Sequence, residues 1–143
     1  MRAAVLVFEG DAIALIERVR DGRRYFLFPG GHVERGESPE KAAAREAGEE
    51  LGLEVEISRL VATASFGGSE QHYYLARRTG GVFGAGNGIE MTGEDVPGSG
   101  SYRAVLWPIA GLSAIDLRPG ALARMVERSA VAGWPAEVAE LAD

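Results

Sequence analysis

Glu46, Glu49 and Glu50 are the residues whose type and spacing bear most directly on chemistry. The segment around them reads as a helix. Ser38 is a good N-cap, Pro39 suits the first helical position, Glu40 complements the helix dipole and Gly52 is a stop signal. With Glu46 at zero on a wheel of 100° per residue, Glu50 falls near 40° and Glu49 near 300°, so the three carboxylates share an arc of roughly 100°. Ala43, Ala44, Ala47 and Leu51 fall between about 60° and 160°. The acidic stripe therefore runs beside the packing face, not opposite it. Like charges at i and i+4 repel by roughly 0.2–0.5 kcal/mol on an exposed helix, and by more near a core. A hard divalent cation with oxygen ligands converts that repulsion into affinity, and magnesium in particular combines a few carboxylates with phosphate oxygens. Such a stripe suits chemistry on a pyrophosphate. Taken alone, a glutamate-rich helix face is more often simply solvated.

The flanking residues change that balance. Gly31, Glu37, Arg45-Glu46, Glu49-Glu50 and Gly52 stand in the array G-x5-E-x7-R-E-U-x-E-E-x-G-U, with Ala47 and Leu53 at the apolar positions U. Seven fixed letters at about 7% usage each match by chance on the order of 10⁻⁸ times per starting point. The array resembles the Nudix box, and Phe28-Pro29-Gly30-Gly31 leads into it as in that family. Ala47 is smaller than the aliphatic residue commoner at its position.

The resemblance implies an α/β fold, an α/β/α sandwich with a mixed central sheet in which the box forms a loop-helix-loop. It also implies a Mg²⁺- or Mn²⁺-dependent hydrolase that cleaves a phosphoanhydride bond in a nucleoside diphosphate linked to another group, or in a nucleoside triphosphate, with water as nucleophile. Carried onto this chain, Glu46, Glu49, Glu50 and the carbonyl of Gly30 would hold the metal. Gly31 would lie against the substrate, and Arg45 would pair with Glu37 and orient Glu46. The general base differs between members of the family. Glu46 or Glu49 are candidates, as are Glu90, Glu94 and Asp95 outside the box, with Glu94 favoured among these three. All three are equally well read as solvated loop acids. Arg18, at the end of the second strand, would contact a substrate phosphate; a solvated strand-end charge is an equal alternative. A non-catalytic nucleotide-sensing module of the same fold is the alternative function, but such modules generally have eroded boxes and this one is intact. Isopentenyl diphosphate isomerase shares the fold and relies on a cysteine, which this chain lacks.

These residues must be positioned by the rest of the chain. Ala3–Phe8 and Ala12–Val19 read as strands separated by the turn Glu9-Gly10-Asp11, and Tyr25–Phe28 as a short aromatic strand after the turn at Asp21-Gly22. Val55–Ser65, Gln71–Arg78 and Tyr102–Trp107 read as further strands. Gly80–Gly100 holds eight glycines and reads as a long flexible loop, of a length that is usually either functional or disordered. Ala121–Val131 reads as an amphipathic helix with Leu122, Met125, Val126 and Ser129 on one side. Pro135–Leu141 reads as a short last helix. Gly48 is mid-helix, where it either admits a close neighbour or is incidental. His32 and His72 read as ordinary surface or core residues. Phe28, Phe66, Tyr73 and Tyr74 are candidates for stacking on a nucleobase, at least two of them being core instead.

A length of 143 residues points to a single domain over 1–143. The apolar fraction of 46% excludes a wholly disordered chain, and a net charge of −6 argues against wrapping duplex nucleic acid. The absence of cysteine removes disulfides, thiolate metal sites and cysteine nucleophiles. No stretch approaches the ~20 apolar residues of a membrane helix, and the apolar run at Ala3–Phe8 is too short for a signal peptide core. A cytoplasmic protein acting on a small nucleotide is expected, with a homodimer as a possible assembly. The stretch downstream of the box matches none of the substrate signatures of the family, so the particular nucleotide stays open.

Overall fold

The structure is a computed structural model that describes residues 1–86 and 100–142. Its strands β1 (Arg2–Glu9) and β2 (Ala12–Arg20) form a hairpin around Gly10, and β3 (Arg23–Leu27) follows a two-residue turn. Asp21 and Gly22 both take positive φ there, 53° and 75°, the backbone sense that matches a twisted hairpin. Then come β4 (Gly30–His32), α1 (Pro39–Leu51), β5 (Leu53–Phe66), β6 (Ser69–Gly81) and β7 (Ser101–Pro108). A 3₁₀ turn over Ile109–Ala114 leads to β8 (Leu117–Arg118), α2 (Gly120–Ala132) and β9 (Ala139–Leu141).

Among the described residues the strands join in one mixed sheet, ordered β8-β3-β2-β1-β6-β5-β9, with β4 paired to β1 and β7 to β2. The pairing of β1 is divided along its length. Arg2–Ala4 lie antiparallel to β4, Arg2–Val7 lie parallel to β6, and Phe8 and Glu9 at the far end pair with β2. Alternation along the strand sends Val5 and Val7 to one face and Leu6 to the other. Val5, Val7, Ala14, Ile16 and Tyr74 meet Ala43, Ala47 and Leu51 of α1. Leu6, Ile13, Leu15 and Phe26 meet Leu122, Met125 and Val126 of α2. This is the α/β/α sandwich with a mixed sheet that the box implied, and it explains why Ala3–Phe8 is apolar without alternation: the strand is covered on both sides. No helix among the described residues is long and apolar enough to cross a membrane.

Two sequence expectations are corrected. Pro135–Leu141 does not form a helix; Ala139–Leu141 is a strand parallel to Ala62–Ala64 of β5. A seven-residue helix would leave most of its terminal backbone groups open and hardly clear nucleation, whereas the free edge of β5 offers them partners at once. Gly80 and Gly81 belong to β6, opposite Glu54 and Leu53, and not to the long loop. Glycine is what lets the strands close there: Gly81 has φ 85°, and a Cβ on it would fall 2.9 Å from the Leu53 Cα.

Candidate active site

The loop-helix-loop begins where Ser38 Oγ accepts the Lys41 N–H at 3.2 Å, and ends where Gly52 takes a left-handed φ of 75°. Between these caps α1 presents Glu46 and Glu50, both buried, and Glu49, whose side chain is 40% exposed. The stripe thus borders the packing face, with Ala43, Ala47 and Leu51 fully buried beside it. The three carboxylates face a cavity of about 500 Å³ whose other walls include the Gly30-Gly31 turn, Arg2, Leu27 and Tyr102.

The turn sets how closely the helix approaches. Gly31 pairs with Ala3 of β1, and a Cβ on it would stand 2.5 Å from the Glu46 Cδ. At Gly30 the obstacle is backbone: an added Cβ would lie 2.5 Å from the Ala3 carbonyl oxygen and 2.7 Å from the Ala4 Cα. The Gly30 N–H donates to Glu50 Oε1 at 2.7 Å, and the Gly30 carbonyl faces Arg2 Nη2 at a long 3.4 Å.

Arg45 organises the helix side of the cavity. Its Nε and Nη2 hold Glu37 in a fork at 2.9 and 3.1 Å, and Nη2 also donates to the His32 carbonyl at 3.0 Å. Its Nη1 reaches Glu46 at 3.0 Å and Glu49 at 3.1 Å, with Glu34 at 3.7 Å. Hydrogen bonding to Arg45, helped by the Glu34 N–H, holds the Glu37 carboxyl below the usual carboxylate range. The same fork, above all its bond to Glu37, raises the Arg45 guanidinium. Burial pushes the Glu46 carboxyl up, with repulsion from Glu49 adding to it and Arg45 opposing.

Glu34, Glu37, Glu46 and Glu49 all lie within salt-bridge distance of the one Arg45 guanidinium, and buried Glu50 stands beside them. The negative charge outruns its local compensation, and the donors are hard carboxylate oxygens with a backbone carbonyl nearby. That set fits Mg²⁺ or Mn²⁺ and not a soft ion. As the side chains stand, no group of three or more His, Asp or Glu among the described residues is arranged to hold an ion. The reason is visible: Arg45 Nη1 contacts both Glu46 and Glu49, and Glu50 is turned to the Gly30 N–H. The charge and chemistry of the donors fit a divalent ion, with Glu46 and Glu49 held by Arg45 and Glu50 by the Gly30 N–H.

The remaining candidates are more scattered. Arg18 stacks on the ring of Tyr102 at 4.1 Å and hydrogen-bonds its hydroxyl, and it is Tyr102 that lines the cavity. Glu90, Glu94 and Asp95 lie outside the described residues. His72 lies beside Glu70 and Tyr74 and does not line the cavity of Glu46, Glu49 and Glu50. Tyr74 is buried, donates to Glu40 at 3.1 Å, and is pushed up chiefly by burial. Phe28, Phe66 and Tyr73 line a second cavity of about 570 Å³, which shares Arg2, Leu27 and Phe28 with the first. Sequence reasoning missed Arg2, Tyr102 and Glu34. Glu34 had a signal, as an acid inside the box loop. Arg2 and Tyr102 had none, because only strand pairing brings them here.

The fold and the intact box define a class, and the comparisons agree with it. A model of the NUDIX domain matches residues 1–94, and the chain belongs to the Nudix family. Over 81 residues it is 37% identical to human 8-oxo-dGDP phosphatase NUDT18, a match covering 55% of this chain and a quarter (25%) of that relative's length. An ADP-ribose pyrophosphatase from Streptococcus suis superposes with a TM-score of 0.64 at 22% identity, covering 98% of this chain and 97% of that one. A Nudix hydrolase from Nitrosomonas europaea gives 0.72 at 20% identity, covering 98% and 77%. At these identities the structures speak for the fold alone.

Proposed function

We propose that the chain, acting as a single domain over residues 1–143, hydrolyses a phosphoanhydride bond in a nucleoside diphosphate derivative or nucleoside triphosphate, with Mg²⁺ or Mn²⁺ as cofactor. The observation that carries this is the pair of buried carboxylates, Glu46 and Glu50, crowded with Glu49 around one cavity against the two glycines that open β4. Glu46, Glu49, Glu50 and the Gly30 carbonyl would hold the ion. Bound there, it would polarise phosphoryl oxygens and lower the pKa of a water.

The chain's own residues supply the rest. Arg45, fixed by Glu37, keeps Glu46 directed at the cavity. Gly31 leaves room for the Glu46 carboxylate and for a substrate oxygen beside it. Glu49 is the most open of the three carboxylates and takes the proton of the attacking water; Glu94 is the candidate from outside the box. Arg2 stands where the two cavities meet and makes no ion pair among the described residues. It is suited to the phosphate nearest the nucleoside. The apolar cavity at Leu27, Phe28, Phe66 and Tyr73 encloses the nucleoside. Arg18 acts through Tyr102.

The test is a panel of 8-oxo-dGDP, ADP-ribose, UDP-sugars and the common dNTPs, assayed with Mg²⁺ and Mn²⁺ for product release. At least one is cleaved at its anhydride. Glu49→Gln loses on the order of 10²–10⁴ in turnover, and Glu94→Gln retains it. Equal turnover by wild type and Glu49→Gln overturns the assignment, and binding without turnover across the panel identifies a sensor instead.

A further inference from the structure

We propose that a third cavity, at the β2–β3 turn, is a subsite for an anionic group borne on the far side of the substrate's nucleoside. The favoured substrates are then nucleoside diphosphate derivatives with a second, remote phosphate on the sugar. This rests on the hydrolytic reading above and extends it to a substrate class.

The third cavity, about 420 Å³, is lined by Arg20, Asp21, Arg23, Tyr25 and Arg118. It adjoins the apolar cavity, with which it shares one wall. Arg118 lines both it and the apolar cavity, and Arg2, Leu27 and Phe28 line both the apolar cavity and the carboxylate site. The three spaces form a run: carboxylates for a metal-bound pyrophosphate, an aromatic and aliphatic space for a nucleoside, then guanidiniums. Leu27 is at one end of β3 and Arg23 at the other. At ~3.3 Å per residue that strand sets Arg23 roughly 13 Å from Leu27, where the carboxylate and apolar cavities meet.

The charge at the far end is unusual for this molecule. The net charge is −6, yet three guanidiniums meet here against Asp21 and Asp116. The Arg20–Asp21 contact is loose, at 3.9 Å between exposed side chains. Arg23 makes no ion pair among the described residues. Arg20 and Arg23 are moreover register partners across the hairpin, directly opposite one another, where like charges destabilise a strand pair. The turn with two positive-φ residues holds them there. An anion seated between them relieves that repulsion, as a cation relieves the carboxylate stripe at the other end of the run.

Arg118 is set in advance. Asp116 receives its Nε and Nη2 at 3.2 and 2.9 Å, and its guanidinium lies 4.1 Å above the Tyr25 ring. Asp116 leaves Nη1 unengaged, on a guanidinium plane that is already fixed. Such a preset planar donor loses little freedom on meeting a phosphate oxygen.

The probes are the 3′,5′- and 2′,5′-bisphosphates of adenosine, guanosine, cytidine and uridine, each compared with its 5′-monophosphate by calorimetry on the full chain with Mg²⁺. At least one bisphosphate binds about tenfold tighter than its monophosphate. In Arg20→Ala/Arg23→Ala that preference falls below twofold, while the melting temperature holds or rises because the like-charge pair is gone. Equal binding within every pair, or a preference that survives the double substitution, overturns the proposal. A preference that is lost in the double variant, in a chain that cleaves no anhydride, leaves the subsite standing and removes the hydrolytic reading alone.

Discussion

Gly30 and Gly31 are neighbours in the sequence, but their missing side chains face different obstacles, so alanine at each should fail differently. A Cβ on Gly31 would lie 2.5 Å from the Glu46 Cδ. Ordinary carbon contacts need about 3.5–4.0 Å, so the carboxylate must retreat by roughly 1–1.5 Å. It is the free end of a side chain and can do so, giving up its 3.0 Å bond from Arg45 while Arg45 keeps Glu37 and the His32 carbonyl. One partly exposed charged bond is lost, and we expect about 1 kcal/mol of destabilisation. With an unfolding entropy near 2.1 cal/mol/K per residue, that lowers Tm by about 3 °C. Turnover suffers far more, since a displacement of about 1 Å at a reacting group costs on the order of 100-fold. A Cβ on Gly30 would meet the Ala3 carbonyl and the Ala4 Cα in the β1–β4 ladder, which cannot swing aside. Overpacking against backbone costs about 2–3 kcal/mol, or a Tm lowered by roughly 7–10 °C. Differential scanning calorimetry and initial rates on both variants separate the cases. Gly31→Ala losing as much stability as Gly30→Ala, or keeping turnover within threefold of wild type, would refute the reasoning.

Other outcomes follow from single contacts. Gly48→Ala gains about 0.5–1 kcal/mol in urea unfolding with turnover unchanged, because an added Cβ there meets only the Leu53 carbonyl oxygen, at 3.9 Å; a loss of stability would show a neighbour nearer than this. Arg45 holds the Glu37 carboxyl below its unfolded value near 4.5. Its stabilising share is therefore complete above about pH 4.5 and is lost as pH falls through the lower folded value. The Tm gap between wild type and Glu37→Gln should be flat from pH 6 to 8 and shrink in acid, and a gap that widens in acid contradicts the sign. Arg2→Ala should raise KM about tenfold with kcat within threefold, as loss of a phosphate contact common to ground and transition states requires; steady-state kinetics in which kcat falls instead would place Arg2 in the chemistry.

What could be read from the sequence divides by the range of the interactions involved. The stripe of Glu46, Glu49 and Glu50 and its junction with the packing face are properties of one helix, and helical periodicity gives them directly. The Arg45–Glu37 fork lies within the same short segment. Arg2 and Tyr102 reach the cavity because Arg2 pairs with His32 and Gln71, and Tyr102 with Arg18. Those registers join distant parts of the chain and leave no local trace. The last segment shows the limit of periodicity itself. Val138 and Leu141 sit at helical spacing, yet the edge of β5 draws Ala139–Leu141 into a strand. Gly80 and Gly81 looked like loop residues because glycine usually is, whereas here both lie in β6, and at Gly81 the lack of a side chain is what lets β5 and β6 close.

The divided pairing of β1 bears on how the chain reaches this state. Arg2–Val7 find their parallel partners only at Gln71–Ala76. A parallel pair so far apart in sequence closes slowly, because the entropy of the intervening loop is spent before any contact repays it. On a ribosome adding roughly 5–20 residues per second, the first strand waits on the order of 4–14 s with that edge open. The antiparallel edge fares better, since β2 and the Gly30-Gly31 turn emerge soon after β1. The carboxylate helix is thus assembled on half a platform during synthesis. The platform is completed only when β6 arrives, so a pause before residue 76 would prolong the exposure of an apolar edge and raise the risk of aggregation.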